Sequence, residues 1–336
     1  MFHRSRLPRV LTMLVLLALS LFTCQSMITE VRSQAVEPPP IHNIQFSQAN
    51  FRIDLIAQIP KARQLAIADR DGVLFVATSS DKVYGVKLER DHLGRVSLKS
   101  GSTPRVVVSG FDVAAGVAVD DATGNLYVGC NDGVYRVPYA VSSVKYMSSF
   151  ATPEKILSLT PQTEMNRRVL RLNGDRLYVA IGSGCDACEV NDPLGTISSF
   201  KYNAATEAEQ DFRVEARGIR NSVGMAFHPV TNELWFTDNG RDIVNNDRPN
   251  DELNRVPASA TNKNYGFPYC FEKDFPDPDF NSKGDCKSYV GAEHVLGSHV
   301  AALGMTFVSG KNFPEAFRSK NMILIAERGS IKITSP

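Results

Sequence analysis

A short pattern recurs along this chain at intervals of roughly fifty residues, a spacing that selects few folds. Each copy has a small or turn residue, a polar residue and a β-rich core. The copies read Gly72-Val-Leu-Phe-Val76, Gly124-Asn-Leu-Tyr-Val128, Asp175-Arg-Leu-Tyr-Val179, Asn232-Glu-Leu-Trp-Phe236 and Asn321-Met-Ile-Leu-Ile325. The branched residues at 74, 126, 177, 234 and 323 are 52, 51, 57 and 89 positions apart, so the last step holds an interruption. Apolar segments precede each core, among them Leu65–Ala68, Gly116–Val119 and Gly224–Phe227, and hairpin partners such as Lys82–Val86 and Gly133–Val137 come after. Alternating strands, Gly/Asp/Asn turns and this period predict an all-β protein of four-stranded antiparallel blades, a β-propeller of the six-bladed type. A β-sandwich would carry no such repeat.

The chain has 336 residues, 43% hydrophobic and 22% charged, enough for a large core and without low-complexity tracts. Residues 1–35 read as an export signal. Arg4, Arg6 and Arg9 flank the apolar run Val10–Phe22, which is short for a membrane span. Cleavage is expected after Ser26 or Ala35, and a retained anchor, the one route to membrane contact, is the alternative. Residues 36–50, opening on Val36–Pro40 (VEPPP), form a linker, and 51–336 the propeller. Removing 1–35 takes away four Arg and one Glu and leaves 33 basic against 35 acidic residues, a net of −2. No basic stripe remains to hold nucleic acid. The mature protein is expected to be secreted or periplasmic, where disulfides persist. Cys185 with Cys188 and Cys270 with Cys286 are the natural local pairs, leaving Cys130 odd. Haem attachment is excluded because Glu189, not His, comes after Cys188.

Ala216–Val256 concentrates the chemistry. Arg220 presents a permanently charged fork of donors suited to a carboxylate or a quinone oxygen. Asp242, Asp247, Asp251 and Glu252 supply the hard oxygens that calcium prefers. The same acidic turn also reads as a solvated loop, and Arg220–Asn221 as a structural network between blades. The interruption, about 256–303, carries Tyr265, the Cys270–Cys286 pair and Pro276–Phe280, and is expected to form an irregular lobe.

The runs ARGIRNSVGMAFHPVTNELWFTDNGRD, NDELNRV, NYGFPYC, LGSHVAALGMTF and IAERGS resemble the soluble pyrroloquinoline quinone (PQQ)-dependent sugar dehydrogenases, in particular the sorbosone/aldose branch. The likeness extends from about Ile53 to Ser330. It implies a six-bladed propeller holding PQQ and Ca2+, oxidising a sugar or sugar aldehyde by hydride transfer and passing electrons to an external acceptor. By resemblance, Arg220 and Asn221 bind the cofactor, with Arg220 stabilising negative charge on it. Asn239, Gly240 and Arg241 match the turn whose carbonyls help to hold calcium. Glu252 and Tyr265 match a second, structural calcium site, and Arg328 a cationic position facing the cofactor.

Two departures stand beside these matches. The family's catalytic His precedes the first strand of the third repeat, whereas this chain reads Pro161-Gln-Thr-Glu-Met-Asn-Arg-Arg168 there. Thr163 or Glu164 takes its place, and Glu164 would serve as a base only if burial raised its pKa. Pro336 also arrives soon after the fifth core strand, so about five blades are expected and the sequence reads as C-terminally incomplete. The leading expectation is therefore a PQQ- and calcium-dependent dehydrogenase homologue with impaired turnover. The alternatives are a non-catalytic propeller binding a carbohydrate or anion, and a calcium-dependent lactonase-like hydrolase.

Overall fold

A computed structural model describes residues 51–329, except 93, 141–149, 204–207, 243–247, 259–260, 281–282 and 310–312. It also gives the backbone of Leu11–Met13, which pairs in parallel with Phe51–Ile53. The rest of the expected signal segment and the linker lie outside the described residues, as does Asp247.

The described fold is all-β and propeller-like. The first sheet runs outward through Ala62–Ala68, Val73–Thr78 and Lys82–Arg90, and the last of these pairs with both Val96–Leu98 and Arg105–Ser109. The second sheet is Gly116–Asp120, Asn125–Cys130, Gly133–Pro138 and Glu154–Ser158. The third is Arg168–Asn173, Arg176–Ile181, Thr196–Asn203 and Ala208–Arg217, joined in parallel by Lys263–Asn264. The fourth is Met225–Phe227, Leu234–Asp238, Asn250–Val256 and His294–Ser298. A two-stranded ladder, Ala302–Phe307 with Ile323–Glu327, carries the fifth repeat. His294–Ser298 falls within the stretch expected to interrupt the repeat, 256–303. The fourth sheet takes its outer strand from there by pairing Glu252 with Val295.

The recurring sequence pattern has a direct backbone cause. Gly72, Gly124, Gly174, Asn232 and Asn321 all occupy the left-handed region, with φ of 61°, 70°, 58°, 57° and 49°. Each sits in the turn that enters the second strand of its unit. Gly and Asn tolerate that conformation and most residues resist it, which explains the Gly or Asn that opens four of the five copies; in the third copy the left-handed residue is Gly174, one position before Asp175. The second strands of the first four units are buried on both faces, whereas Ile323–Glu327 of the fifth is only partly covered. Leu126 and Val128 pack toward the first sheet with Phe75 and Val117, while Tyr127 packs toward the third with Leu170 and Leu177. Phe236 and Leu234 continue the stack between the third and fourth sheets, and Met305 and Phe307 beyond the fourth. Both-face burial replaces strict alternation with near-continuous apolar runs.

One side chain ties three inner strands together. Gln64, on the innermost strand of the first sheet, accepts the N–H groups of Val117 at 3.0 Å and Leu170 at 2.9 Å, and donates to the Leu170 carbonyl. It therefore completes backbone groups on the second and third sheets that no strand neighbour reaches. Gly116 and Gly129 keep that region open, since a Cβ at either would lie 1.8 or 2.0 Å from the Arg168 carbonyl. Gln64→Leu keeps the volume and removes the partners of those groups. We expect it to cost on the order of 2–4 kcal/mol of unfolding free energy by urea titration, whereas a cost below about 0.5 kcal/mol would refute the role of the staple.

Candidate functional site

The third and fourth sheets place Arg220 in the loop between them, and a carboxylate fixes its peptide. Asp238, at the end of the strand Leu234–Asp238, accepts the N–H of Arg220 at 3.0 Å and that of Asn221 at 2.7 Å. The Arg220 carbonyl accepts from the Ser183 N–H at 2.9 Å, anchoring the pair to the third sheet. The guanidinium is only 3% exposed. Its Nε donates to the Asp186 carbonyl at 2.9 Å, and Nη1 donates to the carbonyls of Asn239 at 3.3 Å and Gly240 at 2.7 Å. Nη2 reaches the carboxylates of Asp186 at 2.6 Å and Asp242 at 2.9 Å. Every N–H of the fork is thus engaged within the protein. Asp186 lies between Cys185 and Cys188, which are bridged, so a disulfide loop supplies two of these contacts.

Of the predicted site residues, Arg220, Asn221, Asn239, Gly240, Glu252 and Tyr265 come together. All but Asn221 line one cavity of about 10 Å3, also bounded by Asp238, Cys270 and Phe271 and large enough for a single water or ion. The Asn239 amide is spent, donating to the carbonyls of Ala302 at 2.7 Å and Asn221 at 3.1 Å. The Asn221 side-chain amide has no hydrogen-bond partner among the described residues. The Tyr265 hydroxyl donates to the Arg255 carbonyl at 2.6 Å, and its ring packs edge-on against Phe236 at 5.0 Å. Tyr265 is therefore bound into the core, and its hydroxyl is not offered to the cavity.

The remaining predicted residues lie elsewhere. The Arg241 side chain turns toward the lobe and meets buried Asp277 at 2.9 Å and Asp279 at 2.7 Å, so only its main chain stays with the turn. That lobe is closed by the Cys270–Cys286 bridge, while Cys130 is buried and free, as its odd count required. Glu164 is exposed, so the burial that a carboxylate base would need there is missing. Arg328 comes just after the strand Ile323–Glu327, and its N–H donates to the Ala301 carbonyl at 3.2 Å. Among the described residues, no three His, Cys, Asp or Glu side chains converge as a metal-ligand set. A hard cation at this mouth would draw on the Asn239 and Gly240 carbonyls, each of which has a second lone pair beyond Arg220.

Sequence reading missed Asp186 and Asp238. Asp186 was hidden as the spacer of a short Cys pair. Asp238 read as part of a turn, although an acidic residue ending a strand opposite an Arg-Asn peptide is a usable signal.

Two carboxyls in this cavity carry a pH signature. Burial pushes Asp238 up to about 7, although the N–H groups of Asn221 and Arg220 pull it back. Burial also pushes Glu252 up to about 8, and the charge of Asp238 raises it further. Both groups hold their protons more tightly folded than unfolded. Their contribution is complete below the ordinary carboxyl range and is lost as pH rises through about 7 to 8. The metal-free protein should therefore lose urea stability between about pH 5 and pH 8.5. Glu252→Gln should flatten that slope and raise the midpoint at the alkaline end. Asn254, whose Oδ1 is buried without a partner, can accommodate the new amide by turning over. An unchanged slope in the variant would refute the assignment.

Comparisons with known proteins agree with this architecture. A protein of Borreliella burgdorferi, described as uncharacterized, is 28% identical over 296 residues, covering 85% of this chain and 72% of its own length. Among solved structures, the PQQ domain of pyranose dehydrogenase from Coprinopsis cinerea in its holo form superposes with a TM-score of 0.65 at 16% identity, covering 82% of this chain and 74% of that one. The Trichoderma reesei enzyme of carbohydrate-active family AA12 gives 0.62 at 19% identity, covering 74% and 70%. The soluble aldose sugar dehydrogenase of Escherichia coli in its apo form gives 0.58 at 16% identity, covering 80% of each chain. At these identities the structural likenesses establish the fold. The family described as TrAA12-like matches residues 47–336, nearly the whole chain beyond the expected leader, and this chain belongs to it.

Proposed function

We propose that this protein is an exported sugar dehydrogenase homologue that binds PQQ and Ca2+ at the mouth built around Arg220. The reading is supported by the convergence of Arg220 and the Asn239–Gly240 turn on one cavity, with Asn221 next to it and both peptides held by Asp238. The groups suit the pair of ligands: oxygens for a hard cation, and the Asn221 amide beside the fixed charge of Arg220 for an anionic ring system. Bound PQQ would supply the hydride acceptor for the sugar's anomeric carbon. Asn221 would orient the guest through its uncommitted amide. Arg220, fixed by its carboxylates, would present positive charge at a constant position, the kind of preorganised field that favours developing negative charge. Asn239 and Gly240 would hold the cation through their carbonyls, and Arg328 would face the guest from across the mouth. Glu252, with Tyr265 packed beside it, would stiffen the cavity floor and offers the structural-calcium position. The substrate would be a sugar or sugar aldehyde, and an external acceptor would take the electrons.

The proton of the sugar hydroxyl is the weak point. Residues 161–168 hold no His, and exposed Glu164 stands at that position. This observation favours a second reading, a propeller that binds the cofactor or a carbohydrate without efficient turnover. Mixing the full protein with Ca2+ and PQQ, following the cofactor's absorbance and then adding glucose separates the two. Saturable binding with slow or no reduction is expected. Glu164→His should then raise the reduction rate by about a hundredfold, the scale of a restored general base. Absence of PQQ binding in calcium would overturn the reading. Efficient turnover in the parent protein would overturn the inferred loss of the base.

A further inference from the structure

Two disulfides close loops in this protein, and they differ in reach and in surroundings. Cys270 and Cys286 are buried and join positions 16 apart within the lobe. Cys185 and Cys188 are only 3 apart, and both are half-buried, so theirs is the more accessible bridge. A bridge restricts the unfolded chain more as the loop it closes grows, so one this short contributes little to global stability. What it fixes is local.

The residue it fixes is Asp186, one of the pair enclosed by the bridge. The Asp186 carbonyl accepts from Arg220 Nε at 2.9 Å, and its Oδ1 accepts from Arg220 Nη2 at 2.6 Å and from the Asp242 N–H at 2.7 Å. One residue thereby ties the loop of the third sheet to Arg220 and to the turn of the fourth. Its neighbours extend the tie. The Ser183 N–H donates to the Arg220 carbonyl at 2.9 Å, and Glu189 accepts from two residues of the lobe, Lys283 at 2.8 Å and Tyr269 at 3.2 Å.

Ladder hydrogen bonds do not hold this loop, because the chain between Ile181 and Thr196 belongs to no strand. At its entrance Ser183 Oγ donates to the Cys185 carbonyl at 2.7 Å. Beyond that point the covalent ring narrows the conformations open to Asp186 and Ala187. The Asp186 side chain is 39% exposed, so its pairing with Arg220 competes with water and depends on being held in place. Without the ring, Asp186 gains a freedom that its contacts would have to overcome.

We propose that the Cys185–Cys188 bridge is a redox-sensitive clamp on the Arg220 mouth. Closed, it holds Asp186 against Arg220 and Asp242; opened by a dithiol, it lets Asp186 leave and the rim loosen. A thiolate of the reductant attacks one sulfur of the bridge and forms a mixed disulfide. Its second thiolate then displaces the cysteine from that intermediate and closes the reductant's own disulfide. Two electrons and two protons pass to the protein, leaving Cys185 and Cys188 as thiols. Departure of Asp186 takes away the Nε acceptor of Arg220 and one acceptor of Nη2, and frees the Asp242 amide. The clamp is independent of the quinone reading, whereas its consequence for a cation at the Asn239 and Gly240 carbonyls rests on that reading.

The full protein is treated with graded dithiothreitol, free thiols are blocked with iodoacetamide, and hydrogen exchange is followed by mass spectrometry. Alkylation of Cys185 and Cys188 is expected at concentrations that leave Cys270, Cys286 and buried Cys130 unmodified. In that state the amides of Arg220, Asn221 and Asp242 should exchange at least about tenfold faster than in the oxidised protein. Cys185→Ser/Cys188→Ser should reproduce the change, and chemical reduction decides the matter if that variant folds poorly. Asp186→Ala should exchange fast with the bridge intact, and reduction should then add little. Opening of this bridge only together with Cys270–Cys286, or unaltered exchange once it is open, would overturn the proposal. So would an equal acceleration by reduction in Asp186→Ala, since the bridge would then act by another route. Calcium titrated calorimetrically should bind the oxidised protein at least about tenfold more tightly than the reduced and alkylated one. Equal affinity would overturn control of the cation site by the clamp. Calcium binding in neither state would overturn the calcium reading of the mouth, and the exchange comparison would still decide the clamp.

Discussion

A guanidinium taken almost wholly out of water must be matched donor by donor, and Arg220 imposes that demand on this fold. Leaving one of its N–H groups without an acceptor would cost more than an ordinary hydrogen bond contributes. The acceptors come from stretches far apart in sequence: Asp186 in a disulfide-closed loop of the third sheet, and Asn239, Gly240 and Asp242 in a turn of the fourth. Satisfying one side chain therefore fixes the relation of two sheets at the mouth. Asp238 adds the same constraint from beneath, since its carboxylate holds the peptide N–H groups of Arg220 and Asn221. A ligand arriving here would meet a rigid rim, and its direct polar contacts would fall first to groups the rim has not used.

The fold was legible because its repeat has a stereochemical cause. A left-handed turn residue at the entry of each second strand selects Gly or Asn, and both-face burial selects the apolar core that comes next. The local disulfide pairs were legible because short loops close readily. The strand His294–Ser298 was not. None of its residues is fully buried, and its pairing with Leu253 and Glu252 spans some forty residues of irregular lobe, so no local pattern announced it. Gln64 was illegible for a related reason. Its partners, Val117 and Leu170, lie in other sheets, and an isolated polar residue on an inner strand carries no sequence signature.

The site residues divide along the same line. Arg220, Asn221, Asn239 and Gly240 sit in one continuous run, where local sequence and resemblance both point at them. In the sequence Arg167 and Arg168 are an undifferentiated pair. The structure separates their roles, because Arg168 is buried against the Met165 and Asn131 carbonyls while Arg167 remains uncommitted. Adjacent residues on an extended backbone point to opposite sides, so two identical side chains can meet unlike surroundings.

The mouth between the third and fourth sheets is thereby weighted toward one kind of guest. Asp186, Asp238, Asp242 and Glu252 stand there with the Asn239 and Gly240 carbonyls around the single guanidinium of Arg220, and oxygens in that number suit a hard cation. A propeller suits such a concentration because each sheet contributes its loop independently, so two neighbouring sheets can bring their oxygens to one point without disturbing the ladders that carry them.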